Sequence, residues 1–214
     1  MTKAAPQWYN AYMYSCEKIA ATLSREIDGA LKKIDPDVVA LLEAAKEEET
    51  NPRAAWALEQ ILENARIAAC GDCYPCQDTG IAMLFVRMGC NAQFDGDLGD
   101  ALVRGVRGGY RDARKSMVAH PLMRVNTKDN TPPVVRYEIT AGKGLEVFFL
   151  AKGAGSENMS GLRMLTPSKG REGVIAAVTD IVREAGANPC PPVLLGVGIG
   201  GTTDLACGLS KRAL

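Results

Sequence analysis

Residues 126–151, NTKDNTPPVVRYEITAGKGLEVFFLA, restrict the fold more than any other stretch of the chain. A turn-rich run leads into two strand-type segments, VVRYEIT and LEVFFLA, separated by a Gly-Lys-Gly turn. The flanking sequence has helical periodicity. WYNAYMYSCEKIAATLSREI spaces its apolar residues as a helix does, and DPDVVALLEAAKEEET opens on Asp35 and Pro36, good helix-start residues. NPRAAWALEQILENARIAA sets Trp56, Leu58, Ile61, Leu62 and Ala65 on one stripe after an Asn51-Pro52 entry. DLGDALVRGVRGGYRDARKS reads as helix despite its glycines, and REGVIAAVTDIVREAG is a periodic helix ending at glycine. IAMLFVRMG, 81–89, is a buried strand or a helix start, which period alone does not separate.

These segments predict an α+β fold in which N-terminal helices pack beside a small β-sheet, with the motif loops gathered at one edge. The sheet is expected from segments near 134–140, 145–151 and 193–199, the last being the strand in PPVLLGVGIGGTTD. Neither a repeat nor a long linker divides residues 1–214, so a single domain is expected. At 47% hydrophobic residues, a chain of this length can bury a full core. The 25 basic and 25 acidic residues cancel, and nothing in the bulk charge calls for nucleic acid or a membrane surface. No run reaches the ~18–20 apolar residues of a span, and the N-terminus lacks a secretory signal's apolar core. Seven cysteines without such a signal point to reduced thiols and a cytoplasmic setting.

Four places concentrate chemistry. ACGDCYPCQDTG carries Cys70, Cys73 and Cys76 at ferredoxin-like spacing, but the fourth cysteine that such a run needs does not follow in the QDTG turn. The sole histidine, His120, offers no partner pair for a zinc site. In NPCPPVLLGVGIGG, Cys190 lies between prolines that stiffen the backbone; glycines 196, 198, 200 and 201 permit close approach of a ligand. A plain Pro-Cys-Pro turn is the competing reading. AKGAGSENMSG is either an anion cradle or an ordinary glycine-bearing loop, and it has no P-loop pattern. RGVRGGYRDARKSMVAHPLMRVNT holds Arg104, Arg107, Arg111, Arg114, Lys115 and Arg124, mostly a solvated face from which one arginine can turn inward as a carboxylate clamp.

PCQDTG at 75–80, RKSMVAHPLMRVNT, AKGAGSENMSGLRML and PCPPVLLGVGIGGT occur in this order, and together they resemble the alpha region of the iron–sulfur hydro-lyases. That family comprises class I fumarate hydratases and L(+)-tartrate dehydratases. The resemblance covers nearly the whole chain. It implies a [4Fe–4S] cluster held by three cysteines from separate segments, two of which are Cys76 and Cys190 here, with Cys70 and Cys73 as bystanders. It implies that Gln77 and Asp78 contact the substrate, with Asp78 the acid/base group, and that Arg114 clamps a carboxylate. Gly153, Ser156, Asn158 and Ser160 would supply donors around a dicarboxylate.

The family's third cluster cysteine lies beyond the GIGGT loop, in sequence that this chain does not have, and Cys207 does not match it. The chain stops at LACGLSKRAL with no helix-stop signal, so a C-terminal part is expected to be missing, through truncation or in a natural short form completed by another polypeptide. A beta-type subunit or C-terminal domain and an oligomeric assembly are the expected partners. Two other classes remain open: an electron-transfer module using Cys70, Cys73 and Cys76, and a catalytically silent scaffold.

Overall fold

The computed structural model describes residues 13–71 and 73–214. The start of the expected first helix, 8–12, lies outside the described residues. The chain forms two compact units, the first ending at Lys152 and the second spanning Gly153–Leu214.

The first unit begins with strand β1 (Met13–Tyr14), followed by helix α1 (Cys16–Lys32). The helical pattern of 8–27 is therefore corrected at 13–14. These residues pair in parallel with β3 (Gln93–Phe94), and the Tyr14 and Phe94 rings stack 5.7 Å apart. Ser15 then caps α1 by accepting from the Lys18 N–H. Helices α2 (Pro36–Glu48) and α3 (Pro52–Cys70) start at the expected prolines. Asn51 accepts from the Arg53 N–H, whereas Asp35 makes no side-chain cap.

The sheet consists of β2 (Ile81–Gly89), β4 (Val134–Thr140) and β5 (Leu145–Lys152). Segment 81–89 is thus the central strand. It pairs in parallel with β4 and antiparallel with β5, so the Gly-Lys-Gly turn does not close a hairpin. The turn instead crosses the end of β2, where the N–H groups of Gly89, Cys90 and Asn91 donate to the carbonyls of Gly144, Thr140 and Gly142. A Cβ on Gly89 would overlap the Gly142 carbonyl.

Ala82, Leu84 and Val86 alternate inward from β2 onto α1 and onto α4 (Leu98–Gly109). Leu23, Ile27 and Leu31 of α1 meet Leu102 and Val106 of α4, with Tyr110 and Ala113 just beyond it. Each such aliphatic side chain contributes ~1.5–3 kcal/mol when fully buried. The glycines of α4 have a packing reason: a Cβ on Gly105 would lie 2.8 Å from Leu23, and one on Gly109 would lie 2.6 Å from Ile27. α1 and α4 approach closely because those side chains are absent.

The second unit contains α5 (Ala154–Asn158), α6 (Gly170–Ala185) and α7 (Thr203–Arg212). α6 ends at Gly186, as expected. The stretch 153–160, read as loop, holds the short α5. The strand expected at 193–199 is not formed: these residues take no ladder partner among the described residues. They run against α7, where a Cβ on Gly196 or Gly198 would overlap the Ser210 or Ala206 carbonyl. Those two glycines admit a helix backbone, where the sequence suggested a ligand. The class stands as α+β, and in the first unit α1 and α4 pack on one face of the small sheet.

Candidate functional site

The segment 76–80 enters the head of β2 on a bend fixed from both ends. Upstream, the Asn64 amide of α3 donates to the Pro75 carbonyl at 2.6 Å. The Tyr74 hydroxyl donates to Asp28 of α1 at 3.2 Å, with the Lys32 ammonium 5.5 Å over the tyrosine ring. Downstream, Gly80 has a φ of +77°, and a Cβ there would sit 2.9 Å from the Lys152 backbone. No other residue fits.

The side chains of the bend divide by burial. Cys76 and Gln77 are exposed, Asp78 is half-buried, and Thr79 and Gly80 are buried. Thr79 turns inward, its hydroxyl donating to the Arg114 carbonyl at 2.6 Å. The buried Tyr110 hydroxyl donates to the Thr79 carbonyl at 3.1 Å. Burial first, then the Asp78 charge, pushes the Tyr110 phenol up, which keeps it a neutral donor. Asp78 Oδ1 accepts from the Gly80 N–H at 3.0 Å and from the Ser116 hydroxyl at 3.1 Å. The Asp78 N–H in turn points at Cys76 Sγ, 3.4 Å away.

A second segment meets this bend. β2 and β4 begin at one end of the sheet, and β5 ends there with Lys152 opposite Ile81. Segments 76–80 and 114–131 therefore share that end. Arg114 is exposed, and its guanidinium has no partner among the described residues. By contrast, Arg104 binds Glu17 and Asp100 at 2.7 and 2.8 Å, and Arg107 binds Asp129 at 2.9 Å. Hydrogen bonds from Thr131, with Arg107 assisting, hold the Asp129 carboxyl down at about 2.

The remaining candidates lie in the second unit. Cys190 is exposed with a φ of +59°, its N–H donates to the Ala187 carbonyl, and the following Pro191–Pro192 bond is cis. Gly153 precedes α5 and accepts from the Ser156 hydroxyl at 3.1 Å. Asn158 closes α5, and the Ser160 N–H donates to the Glu157 carbonyl. Glu157 also pairs with Lys211 of α7.

Cys76 and Cys190 are both exposed free thiols outside helix and strand. A backbone N–H aimed at the sulfur, as at Cys76, suits a thiolate ligand of iron. Each of the two thiols, taken by itself, has the chemistry of a ligand for one iron. Among the described residues, no three His, Cys, Asp or Glu side chains stand together as a metal site, and this includes Cys70, Cys73 and Cys76.

Sequence reasoning missed Ser116 and Asn130. Asn130 is fully buried with a φ of +60°. Its Oδ1 accepts from the N–H groups of Ser116 and Met117 at 2.9 and 2.8 Å, and its Nδ2 donates to the Gly80 carbonyl at 3.1 Å. The only local hint was its place in the turn-rich NTKDNTPP run.

The profile described as fumarate hydratase (Fumerase) matches residues 20–214. A protein of Methanocaldococcus jannaschii named "Putative L(+)-tartrate dehydratase subunit alpha" is 37% identical over 188 residues, covering 83% of this chain and 65% of the relative. The "L(+)-tartrate dehydratase subunit alpha" of Escherichia coli (strain K12) is 30% identical over 192 residues, covering 85% and 62%. The chain thus spans less than two thirds of the length of these relatives.

Proposed function

Because the chain belongs to the fumarate hydratase (Fumerase) family, we propose that it is the alpha-type region of a hydro-lyase. The reaction is the reversible hydration of a C4 dicarboxylate such as fumarate/malate or tartrate. The observation that carries this reading is the 76–80 bend, which presents Cys76, Gln77 and Asp78 outward while Thr79 and Gly80 are locked inside. Cys76 and Cys190 would hold two irons of a [4Fe–4S] cluster, and a third thiolate is needed beyond them. When bound, the cluster supplies a Lewis-acidic iron for a substrate carboxylate and the departing hydroxyl.

The chain's own residues do the rest. Asp78, oriented by the Gly80 and Ser116 donors, exchanges a proton at the carbon beside a carboxylate. Arg114, which has no partner among the described residues, clamps a carboxylate with its planar fork. Gln77 offers an amide to the same substrate, while Gly153, Ser156, Asn158 and Ser160 line the dicarboxylate with neutral hydrogen-bonding groups. A beta-type subunit or C-terminal domain completes the site within an oligomer, and relatives named as alpha subunits support that reading. A cytoplasmic setting suits seven free cysteines; no described helix is long and apolar enough to cross a membrane.

The test is anaerobic cluster reconstitution of the chain with a beta-type partner, then a dicarboxylate hydration screen. Asp78→Asn should retain the cluster and lower kcat by roughly 10²–10⁴. Arg114→Lys should raise KM and weaken turnover. Cys70→Ser and Cys73→Ser should leave the cluster in place; its loss in those variants would favour an electron-transfer module. Parent-rate turnover by Asp78→Asn would remove Asp78 from the chemistry. A partnered, cluster-loaded protein without hydro-lyase activity would favour a silent scaffold.

A further inference from the structure

We infer that Ser116 and Asn130 are positioning residues for Asp78: Asn130 pins the Ser116 segment to the Gly80 turn, and the Ser116 hydroxyl sets the direction of the Asp78 carboxylate. The functional importance of that direction rests on the hydro-lyase reading.

The geometry forms a closed circuit. Asn130 has both ends of its amide committed, Oδ1 to the N–H groups of Ser116 and Met117, and Nδ2 to the Gly80 carbonyl. Gly80 and Ser116 also both donate to Asp78 Oδ1. One buried amide thus fixes the spacing between these two donors to the carboxylate. A fully buried polar side chain is costly unless satisfied, and three bonds to two separate segments offset that cost. A carboxylate with two donors on one oxygen has a defined orientation before any substrate arrives, which is the condition for effective proton transfer. Asn130 tolerates its positive φ better than most residues would.

Three variants separate positioning from simple support. Ser116→Ala removes only the hydroxyl link to Asp78, and Ser116→Thr restores a hydroxyl. Asn130→Gly deletes the amide while suiting the left-handed backbone. In the partnered, cluster-loaded enzyme, Ser116→Ala should lower kcat roughly ten- to a hundredfold with little change in KM or melting temperature, as expected for a lost bond to a charged group. Ser116→Thr should recover most of that loss, and Asn130→Gly should lower kcat at least as far as Ser116→Ala. In the chain alone, Ser116→Ala should speed amide hydrogen exchange at Gly80, whose N–H binds Asp78, and leave Leu84 and Val86 in the core unchanged.

Parent-like kcat for Ser116→Ala in an active complex would overturn the inference, as would a threonine variant no better than alanine. If the parent complex shows no hydration of any dicarboxylate, the hydro-lyase reading fails by itself. Exchange at Gly80 then decides the matter: faster exchange in Ser116→Ala upholds the positioning circuit, and an unchanged rate overturns it.

Discussion

The two units solve the problem of burial differently. In the first, Ile27, Leu84, Leu102, Val106 and Tyr110 are sealed from water around a central strand. In the second, Ala185 and Gly208 are the only buried described residues, while Leu194 and Ile199 are 55% and 64% exposed. Within it, the backbone at 196 and 198 approaches α7 closely, and Arg163 pairs with Glu184 at 2.6 Å on the surface. The residues proposed for function differ in the same way. Cys76 and Asp78 stand on a bend wired to a closed core, whereas Cys190 and the 153–160 segment stand on a unit that keeps much of its apolar surface in contact with solvent.

The comparison is broken most directly by truncating side chains. Leu84→Ala should cost ~2–5 kcal/mol, the range for a well-packed core leucine, whereas Ile199→Ala should fall within about 0.5 kcal/mol of the parent. Urea unfolding of both variants checks this, and equal losses would mean that the second unit is as firmly packed as the first.

Added methyl groups sharpen the contrast. Gly109→Ala places a Cβ 2.6 Å from Ile27 and 2.9 Å from the Ser24 carbonyl, and should cost about 1–3 kcal/mol in thermal unfolding. Gly198→Ala should instead speed amide exchange along α7 and leave the β2 amides protected. Faster exchange in β2 as well would show the two units opening together.

The smallest effect expected is an acid one. Asp129 titrates at about 2 in the folded chain against ~3.9 in an unfolded one. A depressed carboxyl stabilises the fold above the unfolded value, so its contribution is complete above about pH 4 and drains away as pH falls towards 2. Asp129→Asn should therefore be less stable than the parent at pH 7, and the gap should narrow at pH 2.5. Urea midpoints at the two pH values measure it; a constant gap would assign the loss to the turn's hydrogen bonds alone.

Local chemistry was legible in the sequence and long-range pairing was not. The starts of α2 and α3 follow from Pro36 and Pro52, whose ring geometry acts within one turn. The end of α6 at Gly186 is equally local. Segment 81–89 stayed ambiguous because both faces of the strand are apolar, Ala82, Leu84 and Val86 on one and Ile81, Met83 and Phe85 on the other, which leaves no period of two to read. Segment 193–199 failed for the opposite reason: its apolar content is that of a strand, but Gly196 and Gly198 let a helix backbone take the near side. At the site, the outward residues of the CQDTG bend came from a motif resemblance. The donors to Asp78 and the buried Asn130 amide depend on contacts between segments far apart in the chain, which no local pattern encodes.

The insertion of β2 between β4 and β5 also dictates an order of events during synthesis. The central strand leaves the ribosome before either neighbour, so IAMLFV has both edges unpaired until β4 is made, and one edge unpaired until the chain reaches Lys152. Helices α1 and α4 can shelter its inner face earlier, since both precede β4. Its N–H and C=O rows have no such cover. Nascent chains halted near residue 132 should therefore self-associate through this strand, and release of the next twenty or so residues, about the reach of two strands with their turn, should suppress that association. A bend at the head of such a strand, as at 76–80, acquires its final geometry only after the last of the three strands has been delivered.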